Sequence, residues 1–285
     1  MIDSAKSMGF SEEAQARDRC QLQFLAQLMR RGADRFVLKG GIAMRALYGS
    51  ARLTKDIDFD CEDSVSALSI KAQMPKALEQ AARAASLVGI KVTQTKAGDL
   101  ASKWRLDAHL QGERSMTFDV EISRRGVPSA EYVTTKTVQA PYEYRISSFI
   151  VRVYTDVAMA ASKVNALLGD NRNVPRDVYD LYDFVRRGVD PSPLWIAHVP
   201  REVLQRKRDA VWAKVDGIGF DQAYDELLPY IAPGLRESID EARWDGMRTE
   251  VAAQVDKWLD TAIAHARSAQ EMNRDPQSDA DLAGR

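Results

Sequence analysis

Apolar residues along this chain change their period several times. Between Phe10 and Gly32 they recur at helical spacing, with Leu22, Leu25, Leu28 and Met29 on one side. Ser11 stands where an N-cap belongs, Glu12 and Glu13 suit a first turn, and Gly32 is the expected stop. Arg35–Lys39 (R-F-V-L-K) predicts a short strand closed by Gly40 and Gly41, and Ile42–Gly49 predicts a short helix. Leu53–Glu62 alternates with the period of a strand. Ser64–Gly89 is helical again, with Pro75 expected to interrupt or restart the helix. Ile90–Ala97, Ser102–Leu110, Ser115–Ser123 and Val133–Ala140 are further strand candidates.

From Val153 onward the pattern is helical throughout. Tyr154–Asp170, Pro175–Gly188, Pro200–Val215, Phe220–Ile231 and Trp244–Ala269 each read as helix. The expected organisation is therefore an α+β part over residues 1–150 and a helical part over 151–267. A tail over 268–285, poor in apolar residues, is expected to be disordered.

Composition narrows the class without choosing within it. The chain has 285 residues, 45% hydrophobic and 28% charged, which suits a globular protein with a sizeable core. A net charge of −1 means that any nucleic-acid partner would need a local basic face. Two cysteines, Cys20 and Cys61, lack metal-site spacing, and with three scattered histidines they argue against structural zinc. The first residues lack an apolar signal core, and no apolar run is long enough to cross a bilayer. The expectation is a cytoplasmic protein without membrane contact.

Candidate chemistry sits in the alternating run. In a strand, Asp56, Asp58 and Asp60 share one face, while Ile57 and Phe59 face the core. Crowded carboxylates repel one another, and a hard divalent cation relieves that repulsion. The preceding Gly40-Gly41 turn allows close backbone approach and presents helix N–H groups to an anion. A further carboxylate can come from Ser115–Ser123, where Asp119 and Glu121 share a face opposite Phe118, Val120 and Ile122. An anion cradle beside paired carboxylates suits metal-dependent phosphoryl or nucleotidyl transfer.

The helical half is less explicit. In Pro175–Gly188, Val178, Leu181, Tyr182 and Val185 form an inward stripe. Asp177 and Asp180 lie beside it, and Arg176–Asp180 reads as a surface ion pair. Lys163 reads as a solvated lysine. Arg201, Arg206, Lys207, Arg208 and Lys214 make one helix locally basic: a solvated face, or a track for an RNA backbone. Trp195, Trp212, Trp244 and Trp258 read as core.

Four pieces in this order resemble the AbiEii-type nucleotidyltransferase toxin family of the DNA polymerase β-like superfamily. They are Lys39-Gly40-Gly41-Ile42-Ala43-Met44, Arg52-Leu53-Thr54-Lys55-Asp56-Ile57-Asp58, Val120-Glu121-Ile122-Ser123, and Lys163 followed by Arg176-Asp177-Val178-Tyr179-Asp180-Leu181. The resemblance implies a polymerase β-like core, a mixed sheet with flanking helices, and a helical half that completes the active site. It implies that Asp56, Asp58 and Glu121 hold Mg²⁺, or Mn²⁺ in its place. Lys39, Gly40, Gly41, Arg52 and Lys163 would hold the phosphates of an NTP, and Asp177 or Asp180 would complete the catalytic set with Asp58 and Lys163. It further implies a toxin or phage-defence effector with a cognate antitoxin, and an RNA acceptor such as a tRNA 3′ end. Two positions depart from the pattern: Ile42 stands where a hydroxyl residue is usual, and Glu121 where aspartate is. Restoring a hydroxyl by Ile42→Thr is expected to tighten NTP binding. The competing readings are a nucleotidyltransferase acting on a small-molecule hydroxyl, and a catalytically degenerate module that binds nucleotide or a partner.

Overall fold

The structure, a computed structural model, describes residues 2–31, 35–62, 64–111, 114–127 and 129–272, with side chains described to residue 266. The chain divides into two units, Met1–Thr155 with Leu228–Ile239, and Asp156–Leu227 with Asp240–Arg285.

The first unit begins with α1 (Glu12–Met29), whose N-terminus is capped as expected by Ser11 Oγ accepting from the Ala14 amide. Then follow β1 (Phe36–Lys39), α2 (Gly40–Tyr48), β2 (Asp56–Cys61) and α3 (Ala67–Ala84). Gly49 ends α2 in the left-handed region at φ 68°. Pro75 lies inside α3 without breaking it, and Met74, Ala77 and Leu78 around it are fully buried. One missing amide bond is offset there by the buried face of the helix.

The remaining strands are β3 (Val88–Lys96), β4 (Ala101–His109), β5 (Ser115–Ser123), β6 (Val133–Val138) and β7 (Phe149–Tyr154). Together with β1 and β2 they make one seven-stranded sheet in the order β3-β4-β5-β2-β1-β7-β6. It is mixed: β2 runs parallel to β5 and β1 parallel to β7, and the other neighbours are antiparallel. The acidic strand β2 is thus interior to the sheet. Its burial alternates strictly, with Ile57, Phe59 and Cys61 at 0% exposure and the three aspartates half-buried.

Strand β7 was not among the strands expected from sequence, and the expected boundary at residue 150 cuts through it. Parallel pairing with β1, Val37 beside Arg152 and Leu38 beside Val153, holds it in the sheet. The segment Leu228–Ile239 also belongs to this unit, although it follows several helices of the other. A 3₁₀ turn at Leu228–Tyr230 brings the Tyr230 carbonyl to the Leu53 amide at 2.9 Å, and the Ala232 amide donates to the Ala51 carbonyl at 3.0 Å. Phe10, Ala14, Leu53 and Ala232 pack together around this return.

Helix α2 is tied to α1 by a buried pair: Arg45 donates to both carboxylate oxygens of Asp18 at 3.1 and 3.0 Å, and the Tyr144 hydroxyl donates to Asp18 at 2.7 Å. Burial and Asp18 together push the Tyr144 phenol well above its ordinary value.

The second unit holds α4 (Asp156–Leu167), α5 (Pro175–Arg186), α6 (Ser192–His198), α7 (Arg201–Asp216), α8 (Phe220–Glu226) and α10 (Glu241–Met272); the short α9 (Pro233–Arg236) belongs to the first. Trp195, Trp244 and Trp258 are buried as expected, with Val251, Val255 and Leu259 completing the core face of α10. Trp212 differs: it is 44% exposed on α7. On α5 the buried stripe is Val178, Leu181, Tyr182 and Phe184, with Val185 only half-buried. Helix α10 carries helical backbone to Met272, past the expected start of a tail at 268; residues 273–285 lie outside the described residues.

Candidate active site

The sheet register assembles the acidic face. Asp56 lies beside Asp119, Asp58 beside Glu121, and Asp60 beside Ser123. Across the next strand pairs, Lys103 on β4 lies beside Glu121, and Lys39 on β1 beside Asp58. One row across four strands therefore reads Lys103, Glu121, Asp58, Lys39. Residues in register point to the same side of a sheet, so carboxylates and lysines share one surface.

The glycine turn leans directly on this row. Gly40 has φ +72°, and a Cβ placed on it would stand 2.5 Å from Asp58 Oδ2. Its missing side chain admits both the left-handed backbone and the carboxylate. Gly41 is closed in differently: a Cβ there would meet Arg52 Nη2 at 2.7 Å and Thr54 Oγ1 at 3.1 Å. The two halves of the motif, Gly-Gly and Arg-x-Thr-x-Asp-x-Asp, are thus in contact through the absent side chains. Arg52 is 4% exposed and packed against this turn, and it also donates to the Leu53 carbonyl at 3.2 Å. Ile42, one residue on, is fully buried, so its side chain fills the core.

Asp60 and Asp119 are both held by basic side chains of neighbouring strands. Asp60 accepts from Lys39 Nζ at 2.6 Å and from the Tyr154 hydroxyl at 2.6 Å. Lys39, expected to hold phosphate, is therefore engaged with Asp60. Asp119 is held by Arg105 in a two-bond fork at 2.9 and 3.0 Å, and by Lys103 at 3.0 Å. Burial would raise the Asp119 carboxyl, but the hydrogen bonds from Arg105 and Lys103 outweigh it and hold it below the usual carboxylate range. Neither Lys103 nor Arg105 was singled out from sequence. The signal was present, since Lys103, Arg105 and Asp107 alternate with the buried Trp104, Leu106 and Ala108.

Asp56, Asp58 and Glu121 are hard oxygen donors on one face of two adjacent strands, which suits Mg²⁺ in donor type. Among the described residues, however, no three acidic, histidine or cysteine side chains already converge as a metal cage. A cation would have to draw these carboxylates together.

In the second unit, Lys163 on α4 and two aspartates on α5 form a buried cluster. Lys163 Nζ lies 2.6 Å from Asp180 Oδ2 and 3.4 Å from Asp177 Oδ1, and both carboxylates have 0% side-chain exposure. This replaces the expected surface setting for Asp180 and the solvated one for Lys163. Arg172, in the loop before α5, donates to Asp177 at 2.5 and 3.1 Å. The loop itself is clamped: Lys214 Nζ donates to the carbonyls of Gly169 at 2.6 Å and Asp170 at 3.1 Å, and Asn173 donates to the Gly217 carbonyl at 2.7 Å. Arg172 carried no pattern that sequence reading could use. The basic helix α7 is also partly committed, because Arg208 pairs with Asp256 and Asp260 while Lys214 holds this loop.

The family described as "Nucleotidyl transferase AbiEii toxin, Type IV TA system" matches residues 23–269. The chain belongs to the AbiEii nucleotidyltransferase toxin family. This AbiEii-family nucleotidyltransferase is similar in fold to JHP933 from Helicobacter pylori, at 17% identity and a TM-score of 0.57, covering 92% of this chain and all of the other. It is also similar to MenT4, a nucleotidyltransferase toxin from Mycobacterium tuberculosis H37Rv, at 18% identity and a TM-score of 0.50, covering 92% of this chain and 96% of the other. At such identities the likeness speaks for the fold alone. A comparison with curated proteins finds no match. Among the described residues of this family member, no helix is long and apolar enough to cross a membrane.

Proposed function

We propose that this toxin transfers a nucleoside monophosphate from an NTP to a hydroxyl of an RNA acceptor, such as a tRNA 3′ end, with Mg²⁺ bound by Asp56, Asp58 and Glu121. The supporting observation is the contact between the two motif halves, in which the Asp58 carboxylate lies against the Gly40 backbone. That contact places a carboxylate next to the N-terminus of α2, where amide groups and the helix dipole favour phosphate oxygens. Bound Mg²⁺ would neutralise triphosphate charge and make the acceptor hydroxyl more acidic.

In the transfer, the acceptor oxygen bonds to the α-phosphorus. The α–β anhydride bond breaks, and pyrophosphate leaves with the bonding electrons. The hydroxyl proton passes to a carboxylate oxygen of the acidic face. Gly40 and Gly41 let the backbone approach the phosphates, while the Thr54 hydroxyl beside Gly41 donates to the Asp56 carbonyl at 3.3 Å and braces the turn against β2. In the second unit, Lys163 carries an ammonium of the kind that binds phosphate, and Asp180 orients it. The family's type IV description supports a cognate antitoxin as a regulatory partner.

The test is incubation of the protein with each α-labelled NTP, Mg²⁺ and total RNA, followed by gel separation. Label on a tRNA-sized band, lost in Asp58→Ala and on chelation, is the expected result. Label on a small molecule alone would replace the acceptor assignment. No label with any NTP and either divalent cation would leave a binding module.

A further inference from the structure

Three residues beside the acidic strand are not explained by any role given above. Arg17 on α1 and Lys55, immediately before β2, both stand over the ring of Tyr230, at 6.0 and 5.0 Å from its centroid. Tyr230 belongs to the returning segment, and its carbonyl accepts from the Leu53 amide at 2.9 Å. Helix α1 is held along the same stretch, since Gln21, one turn after Arg17, donates to the Thr54 carbonyl at 3.1 Å. The cluster therefore stands at the Asp56 end of β2.

Arg17 is half-buried, and its Nε is buried without a hydrogen-bond partner among the described residues. A guanidinium carries five donors and cannot shed its charge, so a desolvated one without an acceptor is costly. Burial holds it below the ordinary arginine value, against the attraction of Tyr230, Asp18, Asp56 and Glu13. Lys55 is exposed. Two cations thus lie against one ring, at the end of β2 where the carboxylates that would hold metal begin. Tyr230 supplies a cation–π surface that holds them without neutralising them.

We propose that Arg17, Lys55 and Tyr230 form a phosphate-binding subsite beside Asp56. The inference rests on reading the acidic face as the transfer site. The shared chemistry is a phosphate oxyanion, supplied either by the polyphosphate tail of the NTP or by the phosphodiester backbone of the acceptor. An incoming oxyanion gives Arg17 Nε the acceptor it lacks, while the ring keeps the Lys55 ammonium in place beside it.

Calorimetric titration of the full chain in EDTA and low salt tests this without metal. The probes are inorganic tripolyphosphate and a ten-nucleotide oligouridylate bearing a 5′-hydroxyl. The double substitution Arg17→Gln/Lys55→Gln is expected to weaken one probe by about tenfold or more, the scale of a lost charged hydrogen bond. Loss for tripolyphosphate assigns the subsite to the NTP, and loss for the oligonucleotide assigns it to the acceptor. Lys55→Glu, at an exposed position, serves if the double variant fails to fold, and it should act in the same direction. Tyr230→Leu keeps both charges but removes the ring that holds them, so a several-fold weakening of the same probe is expected. Unchanged affinities in folded variants, or no binding of either probe by the native protein, would overturn the subsite. If native protein binds phosphate through these residues yet transfers no nucleotide, the subsite stands and the transfer reading falls.

Discussion

Asp58 and Gly40 are in contact: the carboxylate occupies the space a side chain at position 40 would need. Gly40→Ala would meet Asp58 Oδ2 at 2.5 Å from a backbone at φ +72°. Left-handed strain at a non-glycine residue costs about 1–2 kcal/mol, and the displaced carboxylate adds to it. The expected outcome is a folded protein, less stable in urea unfolding, with nucleotide transfer reduced by orders of magnitude. Near-native transfer by Gly40→Ala would show that the closeness of turn and carboxylate is incidental to the chemistry.

Ile42→Thr follows from burial. The side chain at position 42 is fully enclosed, and Thr54 Oγ1 already stands beside Gly41. A threonine there buries a hydroxyl in place of apolar surface, at a cost of about 1–3 kcal/mol. Stability should fall and NTP affinity should not rise. Tighter NTP binding in a folded Ile42→Thr, measured by titration calorimetry, would mean that position 42 reaches the phosphates after all.

Lys163 serves two buried carboxylates, so its removal should be felt in stability as well as in turnover. Breaking a buried ion pair by deleting one partner costs about 3–5 kcal/mol. Lys163→Met is expected to destabilise on that scale, and adding Asp180→Asn should recover part of the loss. Chemical denaturation of the two single variants and the double variant measures the coupling. Strict additivity would place the 2.6 Å contact among incidental neighbours.

The acid limb of stability should carry a contribution from Asp119. Its carboxyl lies below the ordinary value in the folded protein, because the hydrogen bonds from Arg105 and Lys103 outweigh burial. A depressed carboxyl contributes stability that is fully present above its unfolded value, near pH 4, and is lost as pH falls through the folded value. Asp119→Asn should therefore flatten the pH dependence of melting temperature below about pH 4, while lowering stability at neutral pH. An unaltered acid limb would assign acid unfolding to other carboxylates.

Much of the fold was legible from local pattern. The Ser11 cap, the alternation over β2 and β5, the glycine end of α2 and the helical character of the second half depend on neighbours within a few residues. The acidic alternation and the adjacent glycines also exposed most of the candidate site. What the sequence by itself determined was which side chains share a face of one strand or one helix, because side-chain direction follows from the period of that element.

Only the tertiary structure decided which of those faces meet. The pairing of β2 with β5 sets Asp58 beside Glu121, and strand pairing is a long-range choice that no local period encodes. The commitment of Asp60 to Lys39 and Tyr154 needed β1 and β7 to gather around β2. Strand β7 escaped local reading, and its parallel partner β1 lies more than a hundred residues earlier. The Arg176–Asp180 pair read as a surface pair because a helical stripe cannot reveal a cation brought from another helix. Lys163 and Arg172 make the burial of Asp177 and Asp180 tolerable, since a buried charge is stable only where an opposite charge is fixed beside it.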